Sequence, residues 1–533
     1  MTVINSEDIP VASGGRSIQY VGASQAASGD LPYIKRDGSL PRRWILNALT
    51  SNTPGMVITG AWRRPGDRAA EYNTIKYWTD LAQLLERGKF SAVFLADLLG
   101  GKDTFGGEIG PALQVAGQSI CSDPTLWISA AAAVTSNLTF GITQSLTYEK
   151  PFTVARRFAT LDHLTNGRIA INLVTSALDS AAHNHGLTEQ IDHDNRYERA
   201  DEYLDVLYKL WESSWAEDAV VLDKEKEIYV NPTRVRKINH SGEYYSVVGP
   251  AIVEPSIQRT PVLYQAGSSP AGVAFGAKHG EALFTNMPSI EKARAKVEEY
   301  RTSAVERGRD AYSVKVVLGV TIYVGSTDED AQAKFDDFKQ YTSKLGAEVL
   351  FSNRVDQDLS VYSEEDDLRE VGTAAVKGIL KNLQITYPDH HDWTRAGLAD
   401  LLGVRGLPYP PIVGSPTTVA DHLQRIVAES DIDGFNIAWS RFPDSYSDIV
   451  EYLVPELQKR GVHWLDYPKG SVDTGLTARE SLTGVGNRHL PQDHYGSRFS
   501  WKAGQNAPPL EAEIRVGQHD TTASNGHKRA RVD

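Results

Sequence analysis

Short apolar runs rich in β-branched residues alternate with longer segments of helical periodicity along most of this chain, and that alternation calls for a parallel sheet covered by helices. Eight strand candidates stand out: Trp44–Leu49, Ala92–Leu95, Leu138–Leu146, Arg168–Val174, Val262–Gln265, Ala282–Thr285, Lys315–Val324 and Gly434–Trp439. Between and after them run helical patterns over Ile75–Arg87, Phe152–His163, Arg196–Trp211, Gly272–His279, Ile290–Arg307, Asp328–Lys344, Val419–Ala428 and Tyr446–Arg460. Eight such repeats predict an α/β fold, the (β/α)₈ TIM barrel, which does its chemistry at the C-terminal ends of the strands. A doubly wound sheet alternates as well, but its Gly-rich turn follows the first strand. Here the small-residue turn follows the fifth.

Three regions are expected: an N-terminal arm over residues 1–39, the barrel over 40–467, and a polar tail over 468–533. The tail lacks periodicity and is expected to be disordered. Residues 217–248 and 346–415 break the alternation and read as insertions at the upper rim of the barrel. A net charge of −13 argues against nucleic acid and anionic membranes as partners. The single cysteine, Cys121, excludes an internal disulfide. The first residues lack the basic and apolar regions of a secretory signal, and no apolar run reaches the ~20 residues a membrane span needs. A cytoplasmic protein is the expectation.

The turn Gln265-Ala266-Gly267-Ser268-Ser269-Pro270-Ala271-Gly272 links the fifth strand to a helix. Free N–H groups at a helix N-terminus hold phosphate, and Ser268 and Ser269 add hydroxyls beside them. The same residues also make an ordinary N-cap. Asp97 directly follows the second strand, Thr143 lies in a strand end thick with hydroxyl and amide groups, and Asn172 sits at the same level on the fourth strand. His193 and Tyr197 are four apart, on one face of a first helical turn, able to touch one ligand.

Rival chemistries are weaker. His183-Asn184-His185 has a metallohydrolase form but follows the fourth strand instead of the first, and Asp389-His390-His391-Asp392 has no spaced partner, so no metal is expected. Nucleophile-elbow, P-loop and dinucleotide-binding motifs are absent from the sequence.

The run from Thr147 to Arg168, with Asn172-Leu173-Val174-Thr175-Ser176, Asn52-Thr53-Pro54-Gly55, Gly60-Ala61-Trp62-Arg63, Leu95-Ala96-Asp97, His193-Asp194-Asn195-Arg196-Tyr197, Gly249-Pro250 and the serine turn, resembles the bacterial-luciferase-like FMN-dependent monooxygenases. The branch it resembles most contains nitrilotriacetate monooxygenase component A and dibenzothiophene sulfone monooxygenase. The likeness runs in order from about Leu40 to Tyr467. It implies reduced FMN delivered by a separate NAD(P)H:flavin reductase, dioxygen as co-substrate, a small organic substrate of organosulfur or xenobiotic type, and a homo-oligomer, dimer or tetramer. It also implies cofactor contacts from Asp97, Thr143, Asn172, Val174, His193, Tyr197, Gly267, Ser268 and Ser269. No catalytic residue follows from it, because Lys150 stands where some relatives carry histidine. A deazaflavin-dependent oxidoreductase of the same fold and a flavin-binding protein without catalysis are the alternatives.

Overall fold

The computed structural model describes residues 43–472 and 475–502. The expected arm at 1–39 lies outside the described residues. Eight parallel strands close into a barrel: β1 (Ile45–Ser51), β2 (Ala92–Ala96), β3 (Thr139–Ser145), β4 (Ile169–Val174), β5 (Val262–Gln265), β6 (Ala282–Thr285), β7 (Lys315–Val324) and β8 (Gly434–Ala438). Neighbours in sequence pair around the ring as far as β7, β7 pairs with β8, and β8 pairs with β1 to close it. Strand limits fall within two residues of the sequence expectation.

The outer layer holds α1 (Ile75–Arg87), α2 (Ile128–Ala133), α3 (Pro151–Leu164), α4 (His193–Tyr208), α5 (Pro270–His279), α6 (Ile290–Glu306), α7 (Pro416–Ser430) and a last helical stretch over 444–459. Their starts are written locally. Thr74, Ser269, Ser289 and Ser415 each accept a backbone N–H from the first turn of α1, α5, α6 and α7. Pro151, Pro270 and Pro416 stand at first helical positions, where the missing N–H costs nothing. In 444–459 Pro455 follows a wide turn at Ile449–Leu453, which absorbs the hydrogen bond the proline cannot make.

Side chains alternate between the inside and outside of the barrel. Phe94 of β2 meets Tyr264 of β5 and Phe284 of β6 across the interior, with ring centroids 5.3 and 5.7 Å apart. Gly141 is in register with Phe94, and a Cβ there would press against that ring at 3.3 Å. Counting by two from Gly141, and across the register from Thr143 to Asn172, places Thr143, Asn172 and Val174 on the same inner face nearer the mouth.

Two expectations about insertions change. Residues 346–415 fold as helices, chiefly Lys344–Val355, Ala374–Thr386 and Arg395–Arg405, around a core of their own that includes Val349, Leu380 and Trp393. Phe105 and Ala112, from the connection after β2, complete that core, so this connection is a further piece of the rim that the sequence reading left unmarked. Residues 217–248 do not sit on the upper rim. They leave the C-terminus of α4 and lead to the start of β5, which is the lower side of a barrel, and their short hairpins pack on α4, where Glu202 accepts the backbone N–H groups of Tyr244 and Tyr245.

The expectation of a disordered tail from 468 is also corrected, for the segment up to Lys502. Arg479 is buried, pairs with Glu281 at 2.7 Å, and donates to the carbonyls of Thr260 and Arg488. Thr477 and Glu480 close a capping box on the short helix Ala478–Thr483. The segment also packs Leu482, Tyr495 and Phe499 on the barrel core, but these apolar residues are too widely spaced to show a hydrophobic period. Residues 503–533 lie outside the described residues. Among the described residues no helix is long and apolar enough to cross a membrane.

Candidate active site

The fifth strand ends in a turn whose backbone is held from behind. Ser269 caps α5, its Oγ accepting the N–H of Gly272 at 3.1 Å, and the same Oγ lies 3.2 Å from His193 Nε2. His193 opens α4, and its other ring nitrogen meets the Asp194 carboxylate at 2.7 Å. Four residues on, the Tyr197 hydroxyl reaches the glycines of the turn. A Cβ at Gly267 or Gly272 would lie 2.5 or 2.8 Å from that oxygen, so both positions need glycine for the tyrosine to fit. The His193 and Tyr197 rings are 5.2 Å apart, and Tyr197 also packs on Phe275 of α5. Among the described residues the N–H groups of Ser268 and Ser269 donate to no partner. With the positive end of α5, they make a cradle suited to a phosphoryl group.

On the inner wall, Asn172 Nδ2 donates to Thr143 Oγ1 at 2.7 Å, and Asn172 Oδ1 is buried with no hydrogen-bond partner among the described residues. Val174 follows on the same face at the strand end. Asp97, just past β2, accepts the N–H of Leu98 at 2.9 Å and faces Cys121 Sγ at 3.4 Å. Burial pushes the Asp97 carboxyl up to about 6, against the weaker pull of those two bonds. Burial and the adjacent carboxylate push the Cys121 thiol up to about 11, so it stays protonated.

Asp97, Cys121, Thr143 and Ser145 line a polar cavity of about 140 Å³ that runs outward to Glu149 and Arg157. Arg157 pairs with Glu149 at 2.8 Å, and Gln144 donates to the same carboxylate at 2.9 Å. Burial raises Glu149, but those donors outweigh it and hold the group below the usual carboxylate range. Lys150 is exposed at the N-cap of α3.

Of the nine residues singled out in the sequence, Asp97, Thr143, Asn172, Val174, Gly267, Ser268 and Ser269 stand at or just past the C-terminal ends of β2 to β5, and His193 and Tyr197 reach the last of these ends from the first turn of α4. His193, Tyr197, Gly267, Ser268 and Ser269 form one cluster, Thr143 and Asn172 touch, and Asp97 shares a cavity wall with Thr143. Sequence reasoning passed over Cys121, the Glu149–Arg157 pair, and Lys296 and Tyr300 on α6, which contact the turn from behind. The spacing of Lys296 and Tyr300 by four was the available signal, since it puts both on one helix face.

The profile of the family described as luciferase-like monooxygenase matches residues 55–433. The chain is 42% identical over 454 residues to a long-chain alkane monooxygenase of Geobacillus thermodenitrificans, covering 85% of this chain and 97% of that one. It is 39% identical over 461 residues to a dimethyl-sulfide monooxygenase of Hyphomicrobium sulfonivorans, covering 86% and 94%. The dibenzothiophene-sulfone monooxygenase of Rhodococcus erythropolis and nitrilotriacetate monooxygenase component A of Aminobacter aminovorans are 34% and 33% identical, over 79% and 80% of this chain and 92% and 93% of theirs. Among solved structures, a long-chain alkane monooxygenase superposes with a TM-score of 0.78 at 42% identity, covering 86% of this chain and all of that one. A riboflavin lyase solved with modified FMN and riboflavin superposes with a TM-score of 0.76 at 31% identity, over 86% of this chain and all of the other.

Proposed function

Since this chain belongs to the luciferase-like monooxygenase family, we propose that it is the oxygenase of a two-component system, using reduced FMN and dioxygen to oxidise a small organic molecule. The observation that carries the cofactor assignment is the cradle of Ser268 and Ser269 at the start of α5, with two unpartnered N–H groups and His193 beside them. One phosphate-type turn without a second nucleotide motif suits FMN. A separate NAD(P)H:flavin reductase is supported by the relative named as component A of a monooxygenase, and this sequence carries no dinucleotide-binding motif.

Bound there, reduced FMN supplies the electrons that activate dioxygen. Ser268, Ser269, His193 and Tyr197 hold the phosphate end, while Thr143, Asn172 and Val174 line the inner wall where a ring would lie. Asp97, protonated over part of the physiological range, can give or take a hydrogen bond at that wall. The helices of 344–405 pack on Phe105 and Ala112 of the connection after β2, the same connection that carries Asp97. An organosulfur substrate is supported by the relatives named for dimethyl sulfide and dibenzothiophene sulfone. The protein is read as cytoplasmic and as a dimer or tetramer.

Oxygen uptake with FMN, NADH and an added flavin reductase, across thioethers, aryl sulfones and long alkanes, is the test. Substrate-dependent uptake that stops when the reductase is left out is expected. Rapid NADH oxidation by the purified chain alone would overturn the two-component reading.

A further inference from the structure

Behind the serine turn, α6 makes two hydrogen bonds that the reading above leaves without a role. Tyr300 Oη donates to the Gly267 carbonyl at 3.0 Å, and Lys296 Nζ donates to the Ser268 carbonyl at 3.0 Å. Neither side chain is idle surface. Tyr300 is fully buried, and Lys296 is largely covered, held also by Glu299.

A peptide unit is planar and trans, so its C=O and the following N–H point in opposite directions. Fixing the Gly267 carbonyl toward Tyr300 turns the Ser268 N–H away from α6. Fixing the Ser268 carbonyl toward Lys296 does the same for Ser269. Those are the two N–H groups with no partner among the described residues. Gly267 is the residue that most needs such restraint, because a glycine backbone has the widest choice of conformations. We propose that Tyr300 and Lys296 are positioning residues of the phosphate cradle: by holding two carbonyls from behind, they keep the N–H groups of Ser268 and Ser269 aimed at the phosphate. They act through the turn, with the ammonium of Lys296 partly neutralised by Glu299.

The inference rests on the assignment of this turn to the FMN phosphate and predicts a selective loss. Removing either restraint weakens binding of the phosphorylated flavin and leaves the unphosphorylated one alone. The experiment titrates the apo-protein with FMN and, separately, with riboflavin, following flavin fluorescence, for the wild type, Tyr300→Phe, Lys296→Met and Ser269→Asp. Tyr300→Phe keeps the buried ring, so folding is preserved. For Tyr300→Phe and Lys296→Met, FMN affinity is expected to fall about three- to tenfold, the equivalent of one hydrogen bond, with riboflavin affinity unchanged within about twofold and an apo-protein that still melts in one cooperative transition.

Ser269→Asp separates the two levels of the argument. If it abolishes FMN binding while the α6 variants bind both flavins like the wild type, the cradle stands and the positioning role is overturned. If FMN affinity survives Ser269→Asp, the phosphate lies elsewhere and the assignment itself falls. Equal weakening of FMN and riboflavin in the α6 variants would make Tyr300 and Lys296 packing residues and overturn the proposal.

Discussion

Asp97 shows how one buried carboxyl ties the site to pH. Its folded value of about 6 lies above the ordinary 3.8, so between those values the folded protein keeps a proton that the unfolded chain has lost. The stability it contributes is present at the acid end of this window and falls as pH rises through it. Asp97→Asn removes the titration, so the melting temperature of the apo-variant is expected to rise relative to that of the wild type as pH goes from about 4 to 6. Parallel curves for the two proteins would show that Asp97 does not titrate there. Ser269 was legible in the sequence because it caps the helix that directly follows β5, and His193 because it opens α4 four residues before Tyr197. Cys121 was not, because it reaches Asp97 from a connection whose path depends on the packing of Phe105 and Ala112 against distant helices.

Among the elements, the barrel strands were legible almost to the residue, since their β-branched runs are bounded by caps and turns. Helix α2 escaped: Ile-Ser-Ala-Ala-Ala-Ala is too short to display a period. The tail helix escaped for another reason. The partner that makes Arg479 necessary, Glu281, is 198 residues away in sequence. Arginine and glutamate there are almost wholly shielded from water, and the ion pair outweighs the burial that would raise Glu281, keeping it ionised. Arg479→Leu would strand that carboxylate and is expected to cost about 3–5 kcal/mol, read as a lower apo-protein melting temperature. Adding Glu281→Leu should recover much of the loss. If the single variant melted with the wild type, the tail would contribute nothing to the barrel's stability.

At the scale of the whole molecule two cores differ greatly in size. The barrel core takes in residues from every strand, whereas the helices of 344–405 share a small one with Phe105 and Ala112. Less buried apolar surface means a lower free energy of local opening. In hydrogen exchange, amides of Ala374–Thr386 are therefore expected to exchange earlier than those of β1 and β8, and bound flavin should narrow the gap. Equal protection in both regions would join them into one cooperative unit.

β7 extends past the ring of the barrel. It pairs with β6 over Lys315–Leu318 and with β8 over Val317–Thr321, then runs on so that Ile322–Val324 pair with Ile412–Gly414 beyond the ring. The same strand carries Gly319, whose missing side chain makes room for Asn286 and Leu407. The segment returning from the rim helices is thus bonded edge-on to a strand of the barrel wall, which fixes one end of that platform. With that end held by backbone hydrogen bonds, the rim helices can part from an intact barrel only at residues before Ile412.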